Sequence, residues 1–253
     1  MSFHVIIPAR MASMRLPNKP LADIGGQPMI VRVAQQAAKS GAASVTVAGD
    51  DARIIDAAKA AGFNAQMTDL HHTSGTERIH QAATLLGLDD DAIVVNVQGD
   101  EPCIPPQLIA RVATELAQQK HAVMATACHA IHDSADMLNP NIVKVVINAD
   151  SLAMYFSRAP IPYPREHFTQ HEVDHFPQGL PAYRHIGIYA YRVGFLKIYA
   201  DLSPTAMEKF ESLEQLRVLW HGYKIAMSVV EVAPPAGVDT PEDLARVQKL
   251  FTQ

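Results

Sequence analysis

Residues 92–97 read Ala-Ile-Val-Val-Asn-Val and run directly into Gln98-Gly99-Asp100-Glu101-Pro102. Near-continuous apolar runs of this kind mark strands covered on both faces, as in a parallel sheet sandwiched by helices. Working outward, residues 3–7 and 44–48 have the same β-rich character. Residues 29–39, 52–61 and 77–86 show helical spacing, with Gly41 and Gly62 as stops for the first two. This βαβα alternation predicts an α/β fold with a mostly parallel, Rossmann-like sheet and helices on both sides. In the second half, residues 122–128, 143–147, 186–191 and 225–232 read as strands, and 208–219 and 241–251 as helices. Residues 160–181 carry prolines and histidines with weak periodicity. They are expected to form part of a protruding arm, within about 155–205, that covers the site or meets a second subunit. No repeat or linker interrupts the chain, so one domain spanning 1–253 is expected.

Composition narrows the possibilities. At 48% hydrophobic and 19% charged residues, the chain can bury a sizeable core. A formal net charge of -5 argues against a nucleic-acid partner. No apolar run is long enough to span a bilayer, and the first residues enter a strand without a signal-peptide pattern, so a cytoplasmic location is expected. Cys103 and Cys128 are too few for a disulfide framework or a structural zinc site.

Two strand ends carry the chemistry. Residues 6–28, IIPARMASMRLPNKPLADIGGQP, stop an apolar run at Pro8 and continue into a loop bearing Arg10, Arg15 and Lys19. Ligands of open α/β sheets bind beyond the carboxyl ends of strands, and fixed cations there suit a polyphosphate. Pro8, Pro17 and Pro20 restrict this loop, against a plain solvated basic segment. In VNVQGDEPCIP (95–105), Gly99 lets backbone approach a ligand. Asp100 is placed to hold Mg²⁺ between phosphates, although a tight turn would use the same residues.

Other motifs divide between architecture and chemistry. In HTSGTERI (72–79), Ser74 and Glu77 have capping-box spacing, and the helix start could also offer N–H groups and Arg78 to a nucleotide. In GVDTPEDL (237–244), a helix cap explains Thr240 and Pro241 but does not require Asp239, a candidate second metal carboxylate. RHIGIYAYR (184–192) places Arg184, His185 and Tyr189 on a strand that half-exposure alone would explain. EKFESLEQLR (208–217) sets Glu211, Glu214 and Gln215 near one helical face, for which a solvated face is the ordinary account. His167, His171 and His175 are four apart, but poor helical character and the lack of HExxH argue against a metal site. Walker, GxGxxG, GxSxG and CxxC patterns are absent, which argues against a P-loop kinase or nicotinamide dehydrogenase.

Together PARMASMRLPNKPL, VQGDEP, HTSGTERI, RHIGIYAYR, ESLEQLR and GVDTPEDL resemble the bacterial 3-deoxy-manno-octulosonate cytidylyltransferase (CMP-Kdo synthetase) family along essentially the whole chain. The resemblance implies a sugar-nucleotidyltransferase α/β fold, usually homodimeric. It implies the reaction of CTP with 3-deoxy-D-manno-octulosonate (Kdo) to CMP-Kdo and pyrophosphate, feeding lipopolysaccharide synthesis, with Mg²⁺ as cofactor. Carried over by motif, Arg10, Arg15 and Lys19 would hold the triphosphate, with Arg15 and Lys19 stabilising the leaving pyrophosphate. Ser74 and Arg78 would sit near the cytidine, and Gln98 would contact substrate. Asp100 and Asp239 would bind Mg²⁺. His185, Tyr189, Glu211 and Gln215, with Arg158 and Arg165, would line the sugar-acid pocket. The chain departs from the family pattern at Met11 and at Ala48–Asp51, and residues 162–181 match least. No dedicated protein base stands out, so metal coordination is the expected activator of the sugar hydroxyl. A relative using another acidic sugar, such as a sialic acid, and a catalytically silent nucleotide-binding regulator are the rival readings. The second is disfavoured by the presence of both Asp100 and Asp239.

Overall fold

In the computed structural model, which describes residues 2–13, 15–72, 74–168 and 176–251, nine strands form one continuous sheet. In chain order the elements are β1 (His4–Ala9), α1 (Met29–Ala38), β2 (Ser44–Gly49), α2 (Ala52–Ala60), β3 (Asn64–Met67), α3 (Gly75–Leu85), β4 (Ile93–Asn96), α4 (Pro106–Gln118) and β5 (Met124–Ala130). There follow α5 (Ser134–Leu138), β6 (Lys144–Ile147), β7 (Ala153–Ser157), β8 (Tyr183–Arg192), α6 (Val193–Asp201), α7 (Ala206–Glu211), α8 (Gln215–Trp220), β9 (Ile225–Val230) and α9 (Pro241–Phe251). The main order is β3-β2-β1-β4-β8-β5-β9, with β6 joining β8 and β7 joining β6. Pairs β3/β2, β2/β1, β1/β4 and β5/β9 are parallel, and β8 runs antiparallel to its neighbours.

Period-two alternation on β1 divides the core. Val5 and Ile7 pack with α1 residues Ile30 and Ala34 and α4 residues Ile109 and Val112, while Ile6 packs with Ile79 of α3 and Leu196 of α6. The sheet is therefore covered on both faces, as the apolar run 92–97 requires. Successive strands β1, β2 and β3 step toward one edge, whereas β4 lies on the other side of β1. The carboxyl ends of β1 and β4 are adjacent at this reversal, which opens a crevice between the loops that follow them.

Two small clusters lie outside the main core. Leu16, Ile24 and Met29 pack with Val238 and Val247, joining the loop after β1 to α9. Ile131, Met137, Ile142, Phe168 and Ala182 form another cluster, with Phe176 and Leu180 against it. The expected bounds of the arm, about 155–205, are too wide: residues 183–201 form β8 and α6 of the main sheet and its cover, and Phe168, Phe176, Leu180 and Ala182 pack on the β5–β6 connection. His171 and His175 lie outside the described residues.

The structure revises one expected element and adds others. The single helix over 208–219 is two short helices, α7 and α8, because Ser212 adopts a left-handed conformation (φ 52°, ψ 51°) that ends α7. Residues 106–118 form α4, whose buried Leu108, Ile109, Val112, Ala113 and Leu116 have helical spacing. Strands β3 and β7 and helices α5 and α6 likewise go beyond the elements expected from sequence.

Gly99 has a packing reason apart from any ligand. A Cβ built there would lie 2.9 Å from the Pro8 carbonyl oxygen, so the segment after β4 can approach the end of β1 only without a side chain. Gly99→Ala is expected to cost about 1–3 kcal/mol of stability, the scale of forced overpacking. Urea unfolding measures it, and a variant as stable as the parent would contradict this close approach.

Candidate active site

A cleft of about 500 Å³ occupies the crevice at the ends of β1 and β4. The loop after β1 contributes Arg10, Arg15 and Lys19. The β4 end contributes Gln98, Gly99 and Asp100, the start of α3 contributes Ser74, Gly75 and Arg78, and the approach to α9 contributes Asp239. At its centre Lys19 Nζ donates to Asp100 Oδ2 at 2.6 Å and to Asp239 Oδ1 at 2.9 Å. Arg15 Nη2 donates to the same Asp239 oxygen at 3.0 Å.

Local geometry makes this convergence. Asn18, in a left-handed conformation (φ 53°), turns the chain into a 3-10 turn at Lys19–Leu21 whose Pro20 is buried. On the opposite wall, Val238 N–H donates to the Asp100 carbonyl at 2.8 Å. A Cβ at Gly237 would come within 3.1 Å of that same carbonyl oxygen, so glycine allows the strap to lie against Asp100. Asp243 then folds back on the helix start: Asp239 N–H donates to its Oδ2 at 3.1 Å and Thr240 N–H at 3.2 Å. Thr240 caps in return, accepting from Asp243 N–H at 3.2 Å. These bonds and the Arg246 guanidinium hold the Asp243 carboxyl down to about 2.

Arg78 is largely committed to architecture. Its guanidinium donates to Thr68 Oγ1 at 2.5 Å and to Asp50 Oδ2 at 3.1 Å, and Asp50 Oδ1 accepts from Met11 N–H at 2.9 Å. Side-chain exposure is only 4% for Arg78 and 7% for Asp50, so this pair braces the cationic loop against α3. Burial pulls the Arg78 pKa down, opposed by Asp50. Both departures from the family pattern, at Met11 and in Ala48–Asp51, meet in this brace. Ser74 caps α3 by accepting from Glu77 N–H at 3.2 Å, with the first turn facing the cleft. No hydrogen bond or ion pair ties Arg10 among the described residues.

A second chamber of about 370 Å³ adjoins the first and shares Gly75, Gln98 and Glu214 with it. His185, Tyr189 and Gln215 line it; Glu211, Arg158 and Arg165 line neither chamber. The break at Ser212 explains Glu211, whose carboxylate accepts from Ser157 Oγ at 2.6 Å and Arg158 N–H at 2.8 Å. Arg158 in turn donates to the Glu211 carbonyl at 2.6 Å and the Pro140 carbonyl at 2.9 Å. The buried Lys144 donates to the Arg158 carbonyl at 2.6 Å. Arg165 is exposed.

Sequence reasoning missed Asn96 and Tyr191 as chamber residues and placed Glu214 only on a helix face. Glu214 faces both chambers and accepts from Thr76 Oγ1 at 3.3 Å, and burial raises its pKa. The signal for Asn96 was present: it is the one polar side chain within the apolar run 92–97. Asn96 Oδ1 and Gln215 Nε2 are buried with no hydrogen-bond partner among the described residues. Each such orphan costs about 1–3 kcal/mol, a cost that a hydroxylated ligand would relieve.

His185 has a defined protonation state. Thr126 Oγ1 lies 2.9 Å from His185 Nε2 and also 2.7 Å from the Ile188 carbonyl and 3.0 Å from the Ile186 carbonyl. A threonine hydroxyl has one proton, and carbonyls only accept, so Thr126 donates to a carbonyl and accepts from Nε2–H. Nδ1 is then the acceptor nitrogen. Burial pushes the imidazole down to about 3.

The chain matches the family model described as Cytidylyltransferase over residues 4–225. It is 40% identical to a CMP:2-keto-3-deoxy-manno-octonic acid synthetase solved in complex with CTP, with a TM-score of 0.90 over 100% of this chain and 99% of that one. A cytidylyltransferase from Leptospira borgpetersenii serovar Hardjo-bovis is 16% identical with a TM-score of 0.62, over 100% of this chain and 87% of that one. A 4-diphosphocytidyl-2C-methyl-D-erythritol synthase from Anaerococcus prevotii is 13% identical with a TM-score of 0.60, over 100% and 99%. The last two are alike in fold alone.

The lowered His185 pKa sets an expectation for acid. An unfolded histidine titrates near 6.5 and the native one near 3, so the native state binds fewer protons between these values. This contribution is complete above pH 6.5 and is lost as pH falls toward 3. His185→Gln should therefore lose less stability than the parent between pH 6.5 and 4.5. The His185 ring resonances should not titrate between pH 5 and 8, and an NMR midpoint near 6.5 would contradict the assignment.

Proposed function

The chain belongs to the cytidylyltransferase family, and from that premise we propose that it transfers the cytidylyl group of CTP to Kdo, releasing pyrophosphate and forming CMP-Kdo. The observation that carries this reading is the meeting of Lys19, Arg15, Asp100 and Asp239 beside a second chamber with orphaned polar groups. The full-length likeness to a synthetase named for CMP and 2-keto-3-deoxy-manno-octonic acid, bound to CTP, supports the choice of both substrates.

The triphosphate would lie in the first cleft, against Arg10, Arg15 and Lys19 and the first turn of α3. Ser74 and Arg78 would border the cytidine. Kdo would occupy the second chamber, near Gln98, His185, Tyr189, Gln215 and Glu214. The family-derived assignment of Glu211, Arg158 and Arg165 to Kdo requires movement, since none of the three lines the chamber. The anomeric hydroxyl oxygen would bond to the α-phosphorus, its proton passing to solvent, while the bond from the α-phosphorus to the oxygen bridging to the β-phosphate breaks and pyrophosphate leaves. Negative charge grows on the leaving pyrophosphate, where Arg15 and Lys19 would stabilise it. Neutral His185 would accept a Kdo hydroxyl through Nδ1.

Asp100 and Asp239 would hold Mg²⁺. Among the described residues no group of three or more His, Cys, Asp or Glu forms a closed metal cage. Two carboxylates open to phosphate oxygens and water match the way Mg²⁺ is bound. When bound, the ion supplies charge neutralisation to the phosphate oxygens.

We read the chain as one domain and the enzyme as a cytoplasmic homodimer supplying lipopolysaccharide synthesis. No helix among the described residues is long and apolar enough to cross a membrane. The exposed Met154, Phe210 and Trp220 offer apolar surface for a second subunit.

Pyrophosphate release with CTP, Kdo and Mg²⁺ tests the reading, with a sialic acid as competing acceptor. Turnover with Kdo is expected, and Asp100→Asn should lower kcat by roughly a hundredfold or more. No release with Kdo, or an unchanged Asp100→Asn rate, would refute the proposal.

A further inference from the structure

Gly187 stands in the interior of β8, where glycine weakens a strand unless a bulge or a close-approaching ligand requires it. A bulge is present here. The β5/β8 register jumps from Thr126↔Tyr189 to Ala127↔Ile186, leaving Gly187 and Ile188 as extra residues. Thr126 Oγ1 bonds across this bulge to the Ile186 and Ile188 carbonyls and to His185. Strand alternation then puts His185, Gly187 and Tyr189 on the face that lines the second chamber.

The glycine is not required by its backbone. It is absent from the positive-φ residues, and a Cβ built on it meets no atom of the described residues within 4 Å. Gly99 and Gly237 differ, since backbone atoms press against both. What a side chain at Gly187 would occupy is chamber. Across that space Asn96, at the end of β4, presents a buried carboxamide oxygen with no hydrogen-bond partner among the described residues. Asn96 pairs in register with Tyr189, which places it on the same chamber.

We propose that Gly187 and Asn96 determine acceptor specificity: Gly187 leaves the floor on which the sugar acid lies, and Asn96 Oδ1 accepts one of its hydroxyls. This rests on the reading of the second chamber as the acceptor site. Bulk at Gly187 would exclude the acceptor without touching the protein. A missing hydroxyl would leave Asn96 unsatisfied, and a site built to bond a hydroxyl rejects analogues that lack it strongly.

The test compares Gly187→Ala, Gly187→Val and Asn96→Ala with the parent enzyme, measuring kcat and KM for Kdo and the Kd of CTP by calorimetry. Gly187→Ala should raise the KM for Kdo severalfold and Gly187→Val more than tenfold. Asn96→Ala should raise it about tenfold. All three should bind CTP within twofold of the parent. Unchanged KM for Kdo in the Gly187 variants would overturn the steric role, and in Asn96→Ala the acceptor role. Unfolding of Gly187→Ala would also overturn the proposal, because the glycine would then serve the backbone. A parent enzyme that binds CTP but does not turn over Kdo would sink the acceptor reading itself, a result separable from any variant effect.

Discussion

Lys19 Nζ stands between Asp100 and Asp239, carboxylates that follow β4 and precede α9, far apart in the chain. The one ammonium group donates to both carboxylates, so the two like charges share a single counter-ion. Solvent reaches both acids, whose side chains are 34% and 49% exposed, so the contact itself adds only about 0–1 kcal/mol. Its importance is positional. Leu16, Ile24, Met29, Val238 and Val247 form a separate small core that binds the cationic loop to α9. The Val238–Asp100 backbone bond ties that assembly to β4, and Asp50–Arg78 braces the loop from the other side. The charges meet because apolar packing and two close backbone approaches deliver them.

The two chambers embody different physics. The first is governed by charge, with cations from one loop, a helix start and two acids. The second is governed by directed polarity and empty space: a neutral histidine held by Thr126, a buried amide oxygen, a glutamine nitrogen and an unfilled glycine position. A core designed for stability alone would satisfy or replace those groups. Their persistence marks the chamber as shaped for something the protein binds, and Glu214 and Gln98 border both volumes where the reacting groups must meet.

Much of this could be read from sequence where the physics is local. The strands at β1, β2 and β4 and the helices α1 and α2 follow from apolar periodicity and glycine stops. The cationic loop stood out because prolines and three basic residues follow a buried strand. What escaped detection depends on non-local geometry. Nothing in Phe210-Glu211-Ser212-Leu213 announces a left-handed residue at Ser212, so Glu211 and Glu214 seemed to share a helical face that the break separates. The β6–β7 hairpin and its pairing with β8 join segments separated by a long irregular stretch. Residues 106–118 differ, because Leu108, Ile109, Val112, Ala113 and Leu116 carry helical spacing that is local to the sequence. Asn96 was hidden by the hydrophobic neighbours that identify its strand, and Gly187 by a bulge visible only once β5 is aligned with β8.

The central claim is that the cationic loop and the two distant acids form one triphosphate site. The most direct measurement is a crystal structure with CTP and Mn²⁺, in which anomalous scattering locates the ion. The account predicts an ion bonded to both Asp100 and Asp239, with the triphosphate against Arg15 and Lys19. An ion bound away from either carboxylate, or a triphosphate lying outside the loop, would contradict it.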